Sequence, residues 1–271
     1  MHQLKEKGVL ITGAGRGIGK RLAIGFAAAG ARVGLLARSP AELDLAKLEI
    51  EHAGGVALRI RADVRDIEQM TAAVDRMQVV FGGTHILVAA AAIQGPIGPF
   101  HETKLKLWAE AFETNVLGVM NPIRVVLPRM IERRAGKIIV ISGGGASYGR
   151  PNFSAYAGSK AALARIIETV AEEVRDHNVQ VNCLLPGGAY TSMTDEILQA
   201  GDRAGSKEVE EAQKIRITGG IPAERQIQLA LFLSSEKSNH ITGKLIHVTD
   251  DWKKLEHDNM KAEAYTLRRL K

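Results

Sequence analysis

Apolar and polar positions along the chain follow two rhythms in turn. Short, nearly continuous apolar runs occupy residues 8–11, 31–36, 56–60, 86–93, 137–141, 179–185 and 244–248, and each reads as a strand. The run 86–93 is apolar throughout, as a strand covered on both faces requires. Between these runs apolar residues return at helical spacing. They do so at Leu22, Ile24 and Phe26, over 41–52 before Gly54 and Gly55, and over 67–81. Over 161–174, Leu163, Ile166, Ile167, Val170 and Val174 share one helical face. Residues 101–134 read as a helical region broken at Pro122 and Pro128, because proline removes a backbone donor and crowds the preceding turn. Residues 192–220 are polar and punctuated by glycine, with short helical pieces, and 223–233 is a further helix. Strands alternating with helices imply an α/β fold: a doubly wound, parallel, seven-stranded sheet with helices on both faces. No repeat or linker divides the chain, so 1–250 reads as a single domain, and the charged segment 251–271 as a helical tail.

The chain has 271 residues and is 45% hydrophobic, enough for a substantial core, while 24% charged residues argue against disorder. Aromatics make up only 4%, too few for a base-stacking surface, and the net charge of +6 is dispersed rather than gathered into a nucleic-acid stripe. The basic balance favours an anionic small ligand. Cys183 is the only cysteine, which excludes an intrachain disulfide, and it lies in an apolar run that suits a buried, inert thiol. The first ten residues lack the pattern of a signal peptide and no apolar run is long enough to span a bilayer, so a cytoplasmic protein without membrane contact is expected. No cluster of metal ligands stands out.

The first strand runs into Thr12-Gly13-Ala14-Gly15-Arg16-Gly17-Ile18-Gly19 and then into a helix. A strand, a glycine-rich turn and a helix start form a phosphate-binding unit, because glycine lets the backbone approach a pyrophosphate whose charge sits on the helix N-terminus. An NAD-binding fold usually carries an acid roughly 20 residues past the glycines to hold the ribose 2′-hydroxyl. Here the second strand ends in Ala37-Arg38-Ser39. An arginine pairs with a 2′-phosphate that an acid would repel, so Arg38 and Ser39, assisted by Arg16, point to NADP.

Tyr156 and Lys160 lie four residues apart, on one face near the start of a helix. A free phenol titrates near ~10, and an ammonium one turn away pulls that value down. The pair can then hand a proton to a carbonyl oxygen or take one from an alcohol.

In combination these residues resemble the short-chain dehydrogenase/reductase family of single-domain Rossmann oxidoreductases, over residues 8–248. The glycine turn from Thr12 to Gly19 matches that family's cofactor turn. Asp63, with Val64 beside it, matches the acid that meets the adenine. Asn115 matches the helix asparagine that supports a proton relay. Tyr156 and Lys160 match the acid/base and the lysine that also holds the nicotinamide ribose. Pro186, Gly187 and Thr191 match the segment around the nicotinamide. Two departures stand out. Ala89-Ala90-Ala91-Ala92 replaces the family's Asn-Asn-Ala-Gly, which implies weaker bracing where Ala89 and Ala91 approach the cofactor. The serine that usually lies thirteen residues before the tyrosine falls at Gly143. Ser142 is the provisional donor to the substrate oxygen if the glycines 143–145 twist the strand end. Ser147, Tyr148 or a backbone N–H are the alternatives.

The resemblance implies an NADP-dependent oxidoreductase interconverting a carbonyl and an alcohol, in a homodimer or homotetramer. Ile93, Gln94, Tyr148, Phe153, Tyr190 and residues 192–220 form the expected substrate face, whose polar and aromatic mix suits a medium-sized polar ketone, sugar-like in character. Gly143 and the alanine run keep a second reading open: a cofactor-binding scaffold or regulator with little turnover. For the tail, a solvated helix, a subunit contact and a cover over a neighbouring active site are the alternatives.

Overall fold

A computed structural model describes residues 4–257, 261 and 263–268. The strands are β1 (Gly8–Thr12), β2 (Arg32–Ala37), β3 (Val56–Arg61), β4 (Ile86–Ala89), β5 (Gly136–Ile141), β6 (Val179–Leu185) and β7 (Leu245–His247). They form one seven-stranded sheet in the order β3-β2-β1-β4-β5-β6-β7. Every pairing is parallel. The chain reaches β3 at one edge and then returns to the middle to add β4 beside β1. The crevice of a doubly wound sheet opens at such a reversal, outside the carboxyl ends of the strands.

Strand residues alternate between the two faces. Val9 and Ile11 pack with Leu22, Phe26, Leu229 and Phe232, whereas Leu10 packs with Met70, Met77 and Val126 on the opposite side. The first set draws on α1 (Gly17–Ala28), α2 (Pro40–His52) and, near the C-terminus, Ala223–Ser234. The second draws on α3 (Ile67–Phe81), Gly118–Glu132 and Ser154–Glu173. Helices cover both faces, as the alternation of elements predicts.

Several boundaries differ from the sequence reading. β4 ends at Ala89 rather than at residue 93, and Ala90 to Gln94 continue as irregular chain along the crevice. Residues 101–134 are not broken at the prolines. A short α4 (Leu105–Phe112) passes through a π-helical stretch, Glu113–Leu117, into α5 (Gly118–Glu132), which contains both Pro122 and Pro128. The bonds lost at the prolines are offset by burial of Val119, Ile123, Val126 and Met130 on the sheet, since packing supplies most of a helix's stability. The distortion falls instead at Asn115. The catalytic-type pair lies in α6 (Ser154–Glu173), which starts seven residues before the apolar periodicity does. Residues 192–220 hold two full helices, α7 (Ser192–Ala200) and α8 (Ser206–Thr218), ahead of α9 (Ala223–Ser234).

The tail is not α-helical among its described residues. It makes a 3-10 turn, Trp252–Glu256, with Trp252 tilted on Phe232 at a ring separation of 5.2 Å. Tyr265 then accepts a hydrogen bond from the Leu245 N–H at 2.7 Å, and Arg268 pairs with Glu168 of α6. Chain of this kind covers the outer strand's unpaired backbone and blunts a sheet edge. Residues 258–260, 262 and 269–271 of the expected helix lie outside the described residues.

Lys137, at the start of β5, donates to Asn239 Oδ1 at 2.7 Å and Ser238 Oγ at 3.2 Å. Burial pulls its pKa down from 10.5 to about 7, with Glu236 opposing. The unfolded chain therefore binds more protons than the fold between those values, and the penalty for Lys137 fades as pH rises through that window. Urea unfolding at pH 7 and pH 9.5 should show a gain in stability at the higher pH that is smaller in Lys137→Met.

Candidate active site

The crevice is a cavity of about 1070 Å³ that runs from Arg38 and Ser39, across the glycine turn, to Tyr156 and Lys160. Close backbone packing builds its first half. A Cβ on Gly19 would stand 2.2 Å from the Gly13 carbonyl oxygen, so α1 folds directly back on the turn. Gly13 takes φ +66°, and a Cβ there would meet Ala91 at 2.8 Å. Arg16 stands at the N-cap of α1 with extended backbone and makes no side-chain capping bond to the helix, and the first turn carries no acid. The leading amide groups are thus left for an anion. Gly15, Gly17, Ile18, Asp63, Val64, Ala91, Pro186, Gly187 and Thr191 also line the cavity, and Thr191 lies against Gly17.

Arg38 is exposed and makes no hydrogen bond or ion pair among the described residues, which leaves its guanidinium free to meet an anion. Ser39 caps α2, accepting from the Glu42 N–H at 3.4 Å. Arg16 reaches Glu42 at 3.5 Å. Asp63 is held by Arg65 at 2.7 Å, and that hydrogen bond keeps its carboxyl below the usual range. Thr12 and Ala89 do not line the cavity. Thr12 Oγ1 instead accepts the N–H groups of Ala90 and Ala91 at 3.1 and 3.2 Å, and so supplies bracing that the alanine run was expected to lack.

Asn115 is fully buried in the π-helical stretch. Its Oδ1 accepts from Ile93 N–H at 2.8 Å, and its Nδ2 donates to Ile93 O at 2.9 Å and Ser159 Oγ at 3.1 Å. It holds the loop after β4 against α6. Tyr156 and Lys160 are both buried, with the Lys160 nitrogen 5.5 Å from the Tyr156 ring centre. Lys160 Nζ donates to Ile141 O at 2.9 Å, and burial lowers its pKa to about 8. The expected depression of the phenol is not met. Burial is the largest influence on Tyr156 and pushes it up, while the Arg150 guanidinium pulls the other way. Lys160 is turned toward the strand end and makes no hydrogen bond to the phenol.

Ser142 borders the same cavity as Tyr156. Its hydroxyl is sealed from solvent and has no hydrogen-bond partner. The position facing Tyr156 is 143, where a Cβ would lie 2.5 Å from the phenol oxygen. The glycines did not turn the strand end, and the alternation of strand residues prevails. Ser147 is exposed and outside the cavity. Of the expected substrate face, Ile93, Gln94 and Tyr148 line the cavity, whereas Phe153 is buried beside Ile197 and Ala204, and Tyr190 donates to Asp195 at 2.9 Å. Glu196 and Glu208, from the expected 192–220 segment, line the cavity too, and the sequence reading missed Arg150 beside them. Arg150 sits six residues before Tyr156, and that proximity was the available signal.

Comparison with known proteins gives the same assignment. Residues 7–201 match the family model for short chain dehydrogenase. The chain belongs to the short-chain dehydrogenase family. It is an oxidoreductase of the carbonyl/alcohol type. It is 30% identical over 248 residues to 2,3-dihydro-2,3-dihydroxybenzoate dehydrogenase of Bacillus subtilis, covering 88% of this chain and 93% of that protein. Among solved structures, gluconate 5-dehydrogenase from Burkholderia cenocepacia, in complex with NADP and tartrate, superposes with a TM-score of 0.80 at 27% identity, covering 91% of this chain and 94% of that one. A 3-oxoacyl-(acyl-carrier protein) reductase from Brucella melitensis with bound NAD gives 0.77 at 27% identity, covering 91% of each chain. Proteins similar to this short-chain dehydrogenase thus bind either nucleotide. No helix among the described residues is long and apolar enough to cross a membrane.

Replacing Asn115 by Leu would leave the half-buried Ile93 N–H and C=O without these partners, together costing about 1–3 kcal/mol, toward the low end for such groups. Denaturant unfolding should show a loss in that range for Asn115→Leu, with weaker cofactor binding because Ile93 lines the cavity.

Proposed function

We propose that this short-chain dehydrogenase is an NADP-dependent oxidoreductase that interconverts a carbonyl and an alcohol, with Tyr156 as the acid/base. The observation that carries the reading is the shared cavity: the glycine turn and Arg38 line one part of it, and the buried Tyr156–Lys160 pair another. The residues fit a dinucleotide. The uncapped start of α1 faces the pyrophosphate, Arg38 and Arg16 answer a 2′-phosphate, and Lys160 has donors beyond the one it gives Ile141. When bound, the reduced nicotinamide supplies a hydride.

Tyr156 donates its proton to the carbonyl oxygen, or takes one from the alcohol in reverse. Lys160 holds the ribose hydroxyls, and Asn115 keeps the loop after β4 and α6 in register around the proton relay. Ser142 is not carried forward as a donor. Gln94, Glu196, Lys207 and Glu208 around the cavity support a polar substrate such as a medium-sized ketone. Exposed Leu105, Leu107 and Leu117 on α4 and the π-helical stretch support self-association into a dimer or tetramer. The scaffold reading draws on Gly143 and separates cleanly: it gives NADPH binding without turnover of any carbonyl.

Two outcomes test the proposal. Fluorescence titration should show tighter binding of NADPH than of NADH, with Arg38→Asp narrowing or inverting the preference; equal affinities in the wild type would remove the NADP assignment. On a panel of carbonyls with NADPH, Tyr156→Phe should lose turnover by ~10²–10⁴-fold while still binding cofactor. Full turnover in that variant would exclude Tyr156 as the acid/base.

A further inference from the structure

The wall of the cavity beside Tyr156 has no side chains at two successive positions. At Gly143, a Cβ would stand 2.5 Å from the Tyr156 oxygen, so the phenol already occupies the space where a side-chain donor would start. At Gly144, a Cβ would stand 3.0 Å from the Tyr148 oxygen and 3.9 Å from Arg150 Nη1. Tyr156, Tyr148 and Arg150 therefore converge on a bare stretch of backbone in the wall of the cavity.

Of the two groups that join Tyr156 there, only Arg150 is held in place. Its guanidinium lies 4.0 Å over the ring of the fully buried Phe153 and 5.9 Å from the Tyr156 ring centre. Its Nε and Nη2 donate to the two oxygens of Glu208 on α8, at 3.0 and 2.6 Å. Nη1 makes no hydrogen bond among the described residues, and it is the nitrogen nearest Gly144. Tyr148 is 61% exposed and has no hydrogen-bond partner among the described residues fixing its hydroxyl. A donor that stabilises developing charge must be oriented before the reaction, because reorienting it during the reaction costs free energy. Arg150 meets that requirement.

Resting on the carbonyl/alcohol reading above, we propose that Arg150 supplies the hydrogen bond to the substrate oxygen that position 143 does not provide, and that Glu208 of α8 aims it. The carbonyl carbon accepts the hydride as the nicotinamide is oxidised, the oxygen takes its proton from Tyr156, and Arg150 keeps all of its own. The same guanidinium favours the phenolate of Tyr156, and so it answers for both the missing donor and the missing positive partner. Helix α8 thereby reaches the reacting oxygen through one ion pair.

The test uses the full chain, NADPH and whichever carbonyl of the panel the wild type reduces. Arg150→Met should lower kcat by ~10²-fold with NADPH binding unchanged. Added guanidinium should restore part of the loss. The acidic limb of the reverse reaction, below which Tyr156 is protonated and cannot act as base, should move to higher pH once the Arg150 charge is gone, while Lys160 and Tyr148, the other titratable groups beside Tyr156, remain in the variant. Glu208→Gln should fall between the wild type and Arg150→Met. If Arg150→Met does not fold, Arg150→Lys, which keeps the stem over Phe153, should show the same pattern in weaker form. Wild-type kcat in Arg150→Met would overturn the proposal, as would a loss with neither rescue nor a moved pH limb, or a comparable loss confined to Tyr148→Phe. A wild type inactive on every carbonyl would remove the functional reading itself and this inference with it, and it would show before any variant is made.

Discussion

The site depends on one enclosed amide. Asn115 sits where α4 widens into a π turn, and its side chain bonds both backbone groups of Ile93 and the hydroxyl of Ser159. Ile93 belongs to the loop that lines the cavity after β4, and Ser159 directly precedes Lys160 on α6. A single buried group thus fixes the distance between the cavity loop after β4 and α6. Buried polar groups with every bond made specify one arrangement, because any alternative leaves partners unsatisfied in a medium that penalises them. The irregular π turn persists because those bonds and the packing of α5 outweigh its cost.

A second constraint is steric. Gly143 and Gly144 leave backbone where side chains would crowd Tyr156 and Tyr148, so the polar groups that face the cavity there come from residues further along the chain. Arg150 lies between the ring of Phe153 and the carboxylate of Glu208. That ion pair has half-buried partners and bidentate geometry, the arrangement in which an arginine–carboxylate contact carries directional weight. It also ties α8, on the polar segment over the cavity, to the loop that leads into α6.

The glycine-turn half of the cavity relies on close backbone approach rather than side-chain bonding. Gly19 against Gly13 brings the start of α1 onto the turn, and Thr12 pins Ala90 and Ala91 from beneath. Arg38, without a partner among the described residues, and Lys160, with one bond to a strand-end carbonyl, are the cations best placed to meet a ligand's phosphate and hydroxyl groups.

The sequence by itself determined the features that depend on neighbours along the chain. Strand and helix periodicity, the glycine turn between β1 and α1, Arg38 at the end of β2, and the four-residue step from Tyr156 to Lys160 all follow from local geometry. Only the tertiary structure decided the rest. The prolines of α5 were absorbed because the sheet beneath them rewards a continuous helix, which no local rule registers. The tail took an irregular path because an open sheet edge offered backbone partners at Leu245. The direction of the Tyr156 shift was set by burial, which depends on what packs over the phenol rather than on the lysine one turn away. The contact between Arg150 and Glu208 joins residues 58 apart in sequence, and a pairing at that separation is fixed only once the sheet, α6 and α8 have folded together.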